Sequence, residues 1–191
     1  MTNVTQATGT TGDLPRHDLS RDDPSGDDLA GDIEIDLTIN ADGWPDEERL
    51  HPLAARAFAA ARREADLRYL PGSELSLVFS DDAAVQVLNR DYRGKDKPTN
   101  VLSFPGGDED GPVFGPLLGD IVLARETVAR EAEEAAGGFE DHLLHLIVHG
   151  ILHLFGYDHQ VDQEAEIMEG LETRILASLG IADPYRLDPS A

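Results

Sequence analysis

Five of the seven histidines fall between residues 142 and 159, and no cysteine occurs anywhere in the 191 residues. Without thiolates there are no disulfides, and a bound transition metal must be held by His, Asp or Glu. The stretch Glu140 to Phe155 sets Leu143, Leu144, Leu146, Ile147, Val148, Ile151, Leu152 and Leu154 among the histidines, which reads as a largely apolar helix. On such a helix His149 and His153 are i and i+4. Their rings share one face, about 6 Å apart along the axis, and can share one ion. His145 and His153 are about 12 Å apart, too far to meet at bonds of about 2.1 Å. A third ligand therefore requires either the pair His145 and His149, or a residue that folds back after the helix ends. Gly156 permits that return, because glycine adopts the left-handed conformation that terminates helices and can bring His159 toward His153.

The full pattern, His149-x3-His153-x2-Gly156-x2-His159, has the spacings of the long metzincin zinc motif, which joins a helix, a glycine turn and a third histidine. It departs from that motif at Gly150, where metzincins carry the glutamate that activates water, so peptide hydrolysis by that route is not expected. Alone, His149 and His153 would pass for ordinary histidines at the edge of a core. With Gly156 and His159 they predict one zinc ion per chain on His149, His153 and His159, with a position open to water. Such an ion lowers the pKa of bound water to about 7 and polarises a phosphoryl oxygen. Asp158 would either close the site or act as an outer base. His142 and His145 read as structural, each able to hydrogen-bond behind a ligand.

The formal net charge of −23 argues against a broad basic face for nucleic acid. The densest basic cluster in this acidic chain is Arg90, Arg93, Lys95 and Lys97; it reads either as a phosphate grip or as a solvated loop partnered by Asp91 and Asp96. No apolar run approaches the ~18 residues of a membrane span, and Met1 to Gly12 lacks the marks of a secretory signal, so a cytoplasmic location without membrane contact is expected.

Residues 1–31 hold six acidic residues among Thr, Gly and Ser and read as a disordered acidic tail. A single domain is expected over 32–185, followed by a short tail, 186–191. Strands are predicted at Ile33 to Ile39, Leu75 to Phe79, Val101 to Phe104 and Ile121 to Leu123. Helices are predicted from Pro45 to about Asp66, after a Ser80 cap, and over Arg125 to Ala136, Glu140 to Phe155 and Gln163 to Leu179. Gly106 to Pro116 reads as a flexible surface loop. Strands early and helices late indicate the α+β class, with a four-stranded sheet and about five helices.

The run from His149 to His159 (HGILHLFGYDH) resembles the signature of the YbeY endoribonucleases, and Tyr92 to Pro105 (YRGKDKPTNVLSFP) is similar to that family's other characteristic stretch. Leu118 to Ile121 and Gly180 to Tyr185 fit as well, so the likeness spans about Ile33 to Tyr185. The resemblance implies a single-strand-specific, zinc-dependent endoribonuclease acting in 16S ribosomal RNA 3′-end maturation and 70S ribosome quality control. It implies His149, His153 and His159 as ligands and Arg93 as important for activity; by their charge beside Arg93, Arg90, Lys95 and Lys97 are candidate RNA contacts. Expected partners are single-stranded ribosomal RNA and the small ribosomal subunit or an assembly factor such as the GTPase Era. Two other readings remain: an assembly factor whose zinc only stabilises the fold, and a metal hydrolase acting on another substrate.

Overall fold

The computed structural model describes residues 33–107, 113–134, 137–159 and 161–185. The tails expected at 1–31 and 186–191 lie outside the described residues. Strand β1 (Glu34–Ile39) is the half-buried strand foreseen from its alternation and lies at an edge of the sheet, with Leu37 half-buried and Ile39 exposed. Helix α1 (Glu47–Glu64) begins after Asp46, whose carboxylate accepts the Arg49 N–H at 3.1 Å. Its inner stripe of Leu50, Leu53, Ala54, Ala57, Phe58 and Ala61 is buried.

Strand β2 (Glu74–Ser80) leads into α2 (Asp82–Arg93). The cap of α2 is Asp81 rather than Ser80. Asp81 accepts the Ala84 N–H at 2.8 Å, and its charge also suits the positive end of the helix. Ser80 belongs to the strand, and its carbonyl accepts from Trp44 Nε1 at 2.9 Å. Strands β3 (Val101–Pro105) and β4 (Leu117–Ala124) are followed by α3 (Arg125–Glu134), α4 (Gly138–Leu154) and α5 (Asp162–Ser178). Strand β4 outruns its expected Ile121 to Leu123 segment because Leu117, Gly119 and Asp120 pair with β2.

The sheet has the order β1-β2-β4-β3, with β1, β2 and β4 parallel and β3 antiparallel at the edge. Parallel neighbours need a crossover, supplied by α1 for the first pair and by α2 with β3 for the second. Leu75, Leu77, Phe79, Ile121 and Leu123, all at 0% exposure, face α1 and α4. The opposite face, with Val122 and Leu102, is covered by α2 through Val85 and Leu88. This is the α+β domain foreseen.

The loop expected at Gly106 to Pro116 is only partly a surface feature. Residues 108–112 lie outside the described residues, but Phe114 is anchored. Its N–H donates to the Arg68 carbonyl at 2.8 Å, and its ring lies 5.0 Å from that of Phe155. A large aromatic gains more by burial than a polar surface loop would allow.

Candidate metal centre

Helix α4 is the spine of the site. Leu143, Leu144, Ile147, Val148, Ile151 and Leu152 are at most 2% exposed, and full burial of each such side chain stabilises the fold by about 1.5–3 kcal/mol. Gly150 lets the helix lie against the sheet. A Cβ there would fall 2.9 Å from Cδ1 and Cγ2 of Ile121, so the position taken by glutamate in metzincins is filled here by the wall of β4.

The helix ends in a Schellman turn. Gly156, at φ 80°, donates its N–H to the His153 carbonyl, and Tyr157 donates to the Leu152 carbonyl, each at 3.1 Å. The reversal brings His159 back over the helix. The rings of His149 and His153 are 4.6 Å apart, and His159 lies 5.5 Å and 5.1 Å from them. One nitrogen from each of the three rings lies within 4.8 Å of the others. The Nε2 atoms of His149 and His153 are 3.1 Å apart, close to the roughly 3.4 Å between ligands of a tetrahedral ion with bonds of about 2.1 Å. Three neutral nitrogen donors therefore fit one divalent ion, with room for a further ligand. Burial, helped by the neighbouring His149 and His159, pushes His153 down to about 4, so its lone pair is free at neutral pH.

Behind the triad stands Glu172 of α5, at 0% exposure. Its carboxylate accepts from His149 Nδ1 at 2.7 Å, from His145 Nε2 at 3.0 Å and from the Tyr185 hydroxyl. Burial would raise its pKa, but the His145 and His149 hydrogen bonds outweigh that and hold it down to about 2. Burial, followed by Glu172 itself, pushes Tyr185 upward, so Tyr185 remains a donor. Glu172 escaped the reading of the sequence. Its signal was a carboxylate on the buried stripe Met168, Leu171, Ile175 and Leu176. The structural reading of His142 is supported by its 3.1 Å bond to Glu131, which also accepts from Asn100 at the start of β3.

In front of the triad opens a cavity of about 700 Å³. Its wall includes Arg93, Lys95, Ser103, Tyr157 and Asp158. Arg93 is the last residue of α2, and Gly94 at φ 68° turns the chain so that Lys95 follows it onto the wall. Arg93 is close enough for its charge to add to the push on His153. Asp158 accepts the His159 N–H at 2.7 Å. Arg90 and Lys97 do not line the cavity. Arg90 pairs with Asp91 at 2.8 Å, and the Lys97 carbonyl accepts from the buried Asn89 at 2.7 Å. Tyr92, beside Arg93, is 71% exposed and stands edge-on to Phe104, with ring centres 5.1 Å apart.

The family described as Endoribonuclease YbeY matches residues 38–180. Proteins called Endoribonuclease YbeY from Rhizobium etli (strain CIAT 652) and Agrobacterium fabrum are each 54% identical over 160 residues, which cover 81% and 80% of this chain and 94% and 95% of theirs. The chain belongs to the YbeY endoribonuclease family. The YbeY protein of Rhizobium johnstonii is 52% identical over the same length. The solution structure of TM1509 from Thermotoga maritima is similar at 25% identity over 83% of this chain and 99% of that one, with a TM-score of 0.48. Both stretches that carry the YbeY resemblance meet at the cavity, one supplying Arg93, Lys95 and Ser103, the other the three histidines. Among the described residues no helix is long and apolar enough to cross a membrane.

Proposed function

We propose that this chain is a single-strand-specific, zinc-dependent endoribonuclease acting in 16S ribosomal RNA 3′-end maturation and 70S ribosome quality control in the cytoplasm. The observation that carries the reading is one cavity bordered by three convergent histidines and by Arg93, on a chain of net charge −23. His149, His153 and His159 hold the ion. A zinc ion there supplies Lewis-acid polarisation and a water acidic enough to deprotonate near pH 7. Arg93 grips a phosphate through its planar fork of donors and offsets charge building on its oxygens. Lys95 adds a second positive charge on the wall, and the Asp158 carboxylate accepts a proton there. The exposed face of Tyr92 stacks an unpaired base, which a duplex cannot offer, and this supports the single-strand preference.

The acidity of the chain opposes tight binding to naked RNA. Cleavage of free RNA is therefore weak, and efficient cleavage depends on a partner that presents the strand, the small ribosomal subunit or an assembly factor such as Era. The same acidity favours a second reading, a zinc-stabilised assembly factor that docks basic ribosomal proteins without cutting RNA. RNA cleavage by metal-quantified protein separates the two. Parent protein should cleave single-stranded RNA, His153→Ala should lose both metal and cleavage, and Arg93→Ala should keep the metal while losing cleavage. Cleavage by metal-free His153→Ala at the parental rate would refute the proposal.

A further inference from the structure

The spacing of the histidines leaves two overlapping pairs at i and i+4, His145 with His149 and His149 with His153, and helical geometry does not choose between them. We infer that Glu172 makes the choice, by engaging one ring nitrogen of His145 and one of His149. The inference rests on the reading that the triad holds a metal.

The Glu172 carboxylate accepts from His145 Nε2 at 3.0 Å, which occupies the outer nitrogen of that ring and turns it toward α5. It accepts from His149 Nδ1 at 2.7 Å. A carboxylate only accepts, so that nitrogen of His149 carries the proton and the lone pair is left on Nε2. That Nε2 atom is the one 3.1 Å from His153 Nε2. One carboxylate thus withdraws His145 from the ligand set and fixes both the tautomer and the aim of His149, the arrangement by which carboxylates orient metal-binding histidines.

The burial of Glu172 supports this role. An ionised carboxylate at 0% exposure is costly unless donors surround it, and His145, His149 and Tyr185 provide three. Tyr185 lies beyond α5, and its hydroxyl donates to the same carboxylate oxygen as His145, with the two rings 6.0 Å apart. Glu172 touches neither substrate nor ion; it is a positioning residue. A purely structural anchor between α4 and α5 would alter stability while leaving metal affinity and ring tautomers as they are.

The test uses full-length protein and zinc alone, with affinity measured by competition against a chromophoric chelator and ring tautomers read from long-range nitrogen–proton NMR correlations of the metal-free form. Glu172→Gln preserves shape, but an amide offers one acceptor oxygen in place of two. One of the two rings must then change tautomer, and zinc affinity should fall at least tenfold, within the 10- to 100-fold range typical of such orienting partners. Tyr185→Phe, at a partly exposed position, should weaken zinc severalfold without disturbing the fold. His145→Ala should still bind one zinc per chain. Parental affinity and unchanged tautomers in folded Glu172→Gln would overturn the inference, as would loss of zinc from His145→Ala as complete as that from His153→Ala. Parent protein that binds no zinc would overturn this inference and the proposed function together. A zinc-binding parent matched by Glu172→Gln would overturn this inference alone.

Discussion

Replacing Gly150 with alanine should destabilise the fold, although alanine is the better helix former. Adding a Cβ at Gly150 brings it to 2.9 Å from Cδ1 and Cγ2 of Ile121 and 3.1 Å from Cγ1. Carbon atoms in comfortable contact sit about 3.5–4.0 Å apart, so α4 or β4 must give by a few tenths of an ångström or more. Ile121 is fully buried in a strand paired on both sides, which leaves little room to yield. Overpacking of this kind costs about 1–3 kcal/mol, and the gain in helix propensity offsets roughly 1 kcal/mol. The expected net loss is about 1 kcal/mol. Urea unfolding followed by far-UV circular dichroism, with a chelator present so that metal binding does not contribute, measures it as a lower midpoint at unchanged slope. Ile121→Val removes Cδ1, and alanine at 150 should cost less on that background, with a coupling of at least about 0.5 kcal/mol. A Gly150→Ala protein about 1 kcal/mol more stable than the parent, with no coupling to Ile121→Val, would refute the packing account. Gly150→Glu, meant to restore a metzincin-like base, should instead drive a carboxylate against Ile121 and unfold the protein.

Arg93→Lys should recover only a small part of the cleavage lost in Arg93→Ala, because an ammonium cannot make two parallel bonds to one phosphate; kcat/KM with metal content measured alongside tests this, and full recovery would count against the phosphate grip. Tyr92→Ala should raise KM for single-stranded RNA by about 5- to 100-fold, as expected from about 1–3 kcal/mol per stacked base, with kcat little changed. An unchanged KM would remove Tyr92 from the RNA path. Burial lowers the pKa of His142 below 6.5 despite the pull of Glu131. The unfolded chain then binds the extra proton first, so this contribution is complete above about pH 6.5 and is lost as pH falls. Chelator-treated His142→Asn should show a flatter rise in stability between pH 5 and 7 than the parent; equal slopes would contradict the assignment.

The helices and strands of the domain were legible because periodicity, glycine stops and acidic helix starts are local signals, and β2 and α4 fell where their apolar patterns put them, while β4 ran beyond its apolar Ile121 to Leu123 centre. Small errors came where two local signals competed. Ser80 and Asp81 both cap helices, and the choice went to Asp81 once Ser80 was taken up by β2. The loop at Phe114 looked polar by composition, yet one aromatic ring ties it to Phe155, a partner forty-one residues away that no local pattern reveals.

Spacing along the chain was enough to nominate the three histidines, since a helical turn and a glycine reversal are geometries that a short segment dictates by itself. What holds His145 away, what orients the ligands and where the cations stand required the tertiary structure. Glu172, Tyr185 and Arg93 come from elements distant in sequence and are brought to α4 only by packing, and Gly150 finds its purpose only against Ile121. A local pattern encodes the backbone path of a ligand set; the charges and walls around it belong to whichever surfaces the buried core forces together.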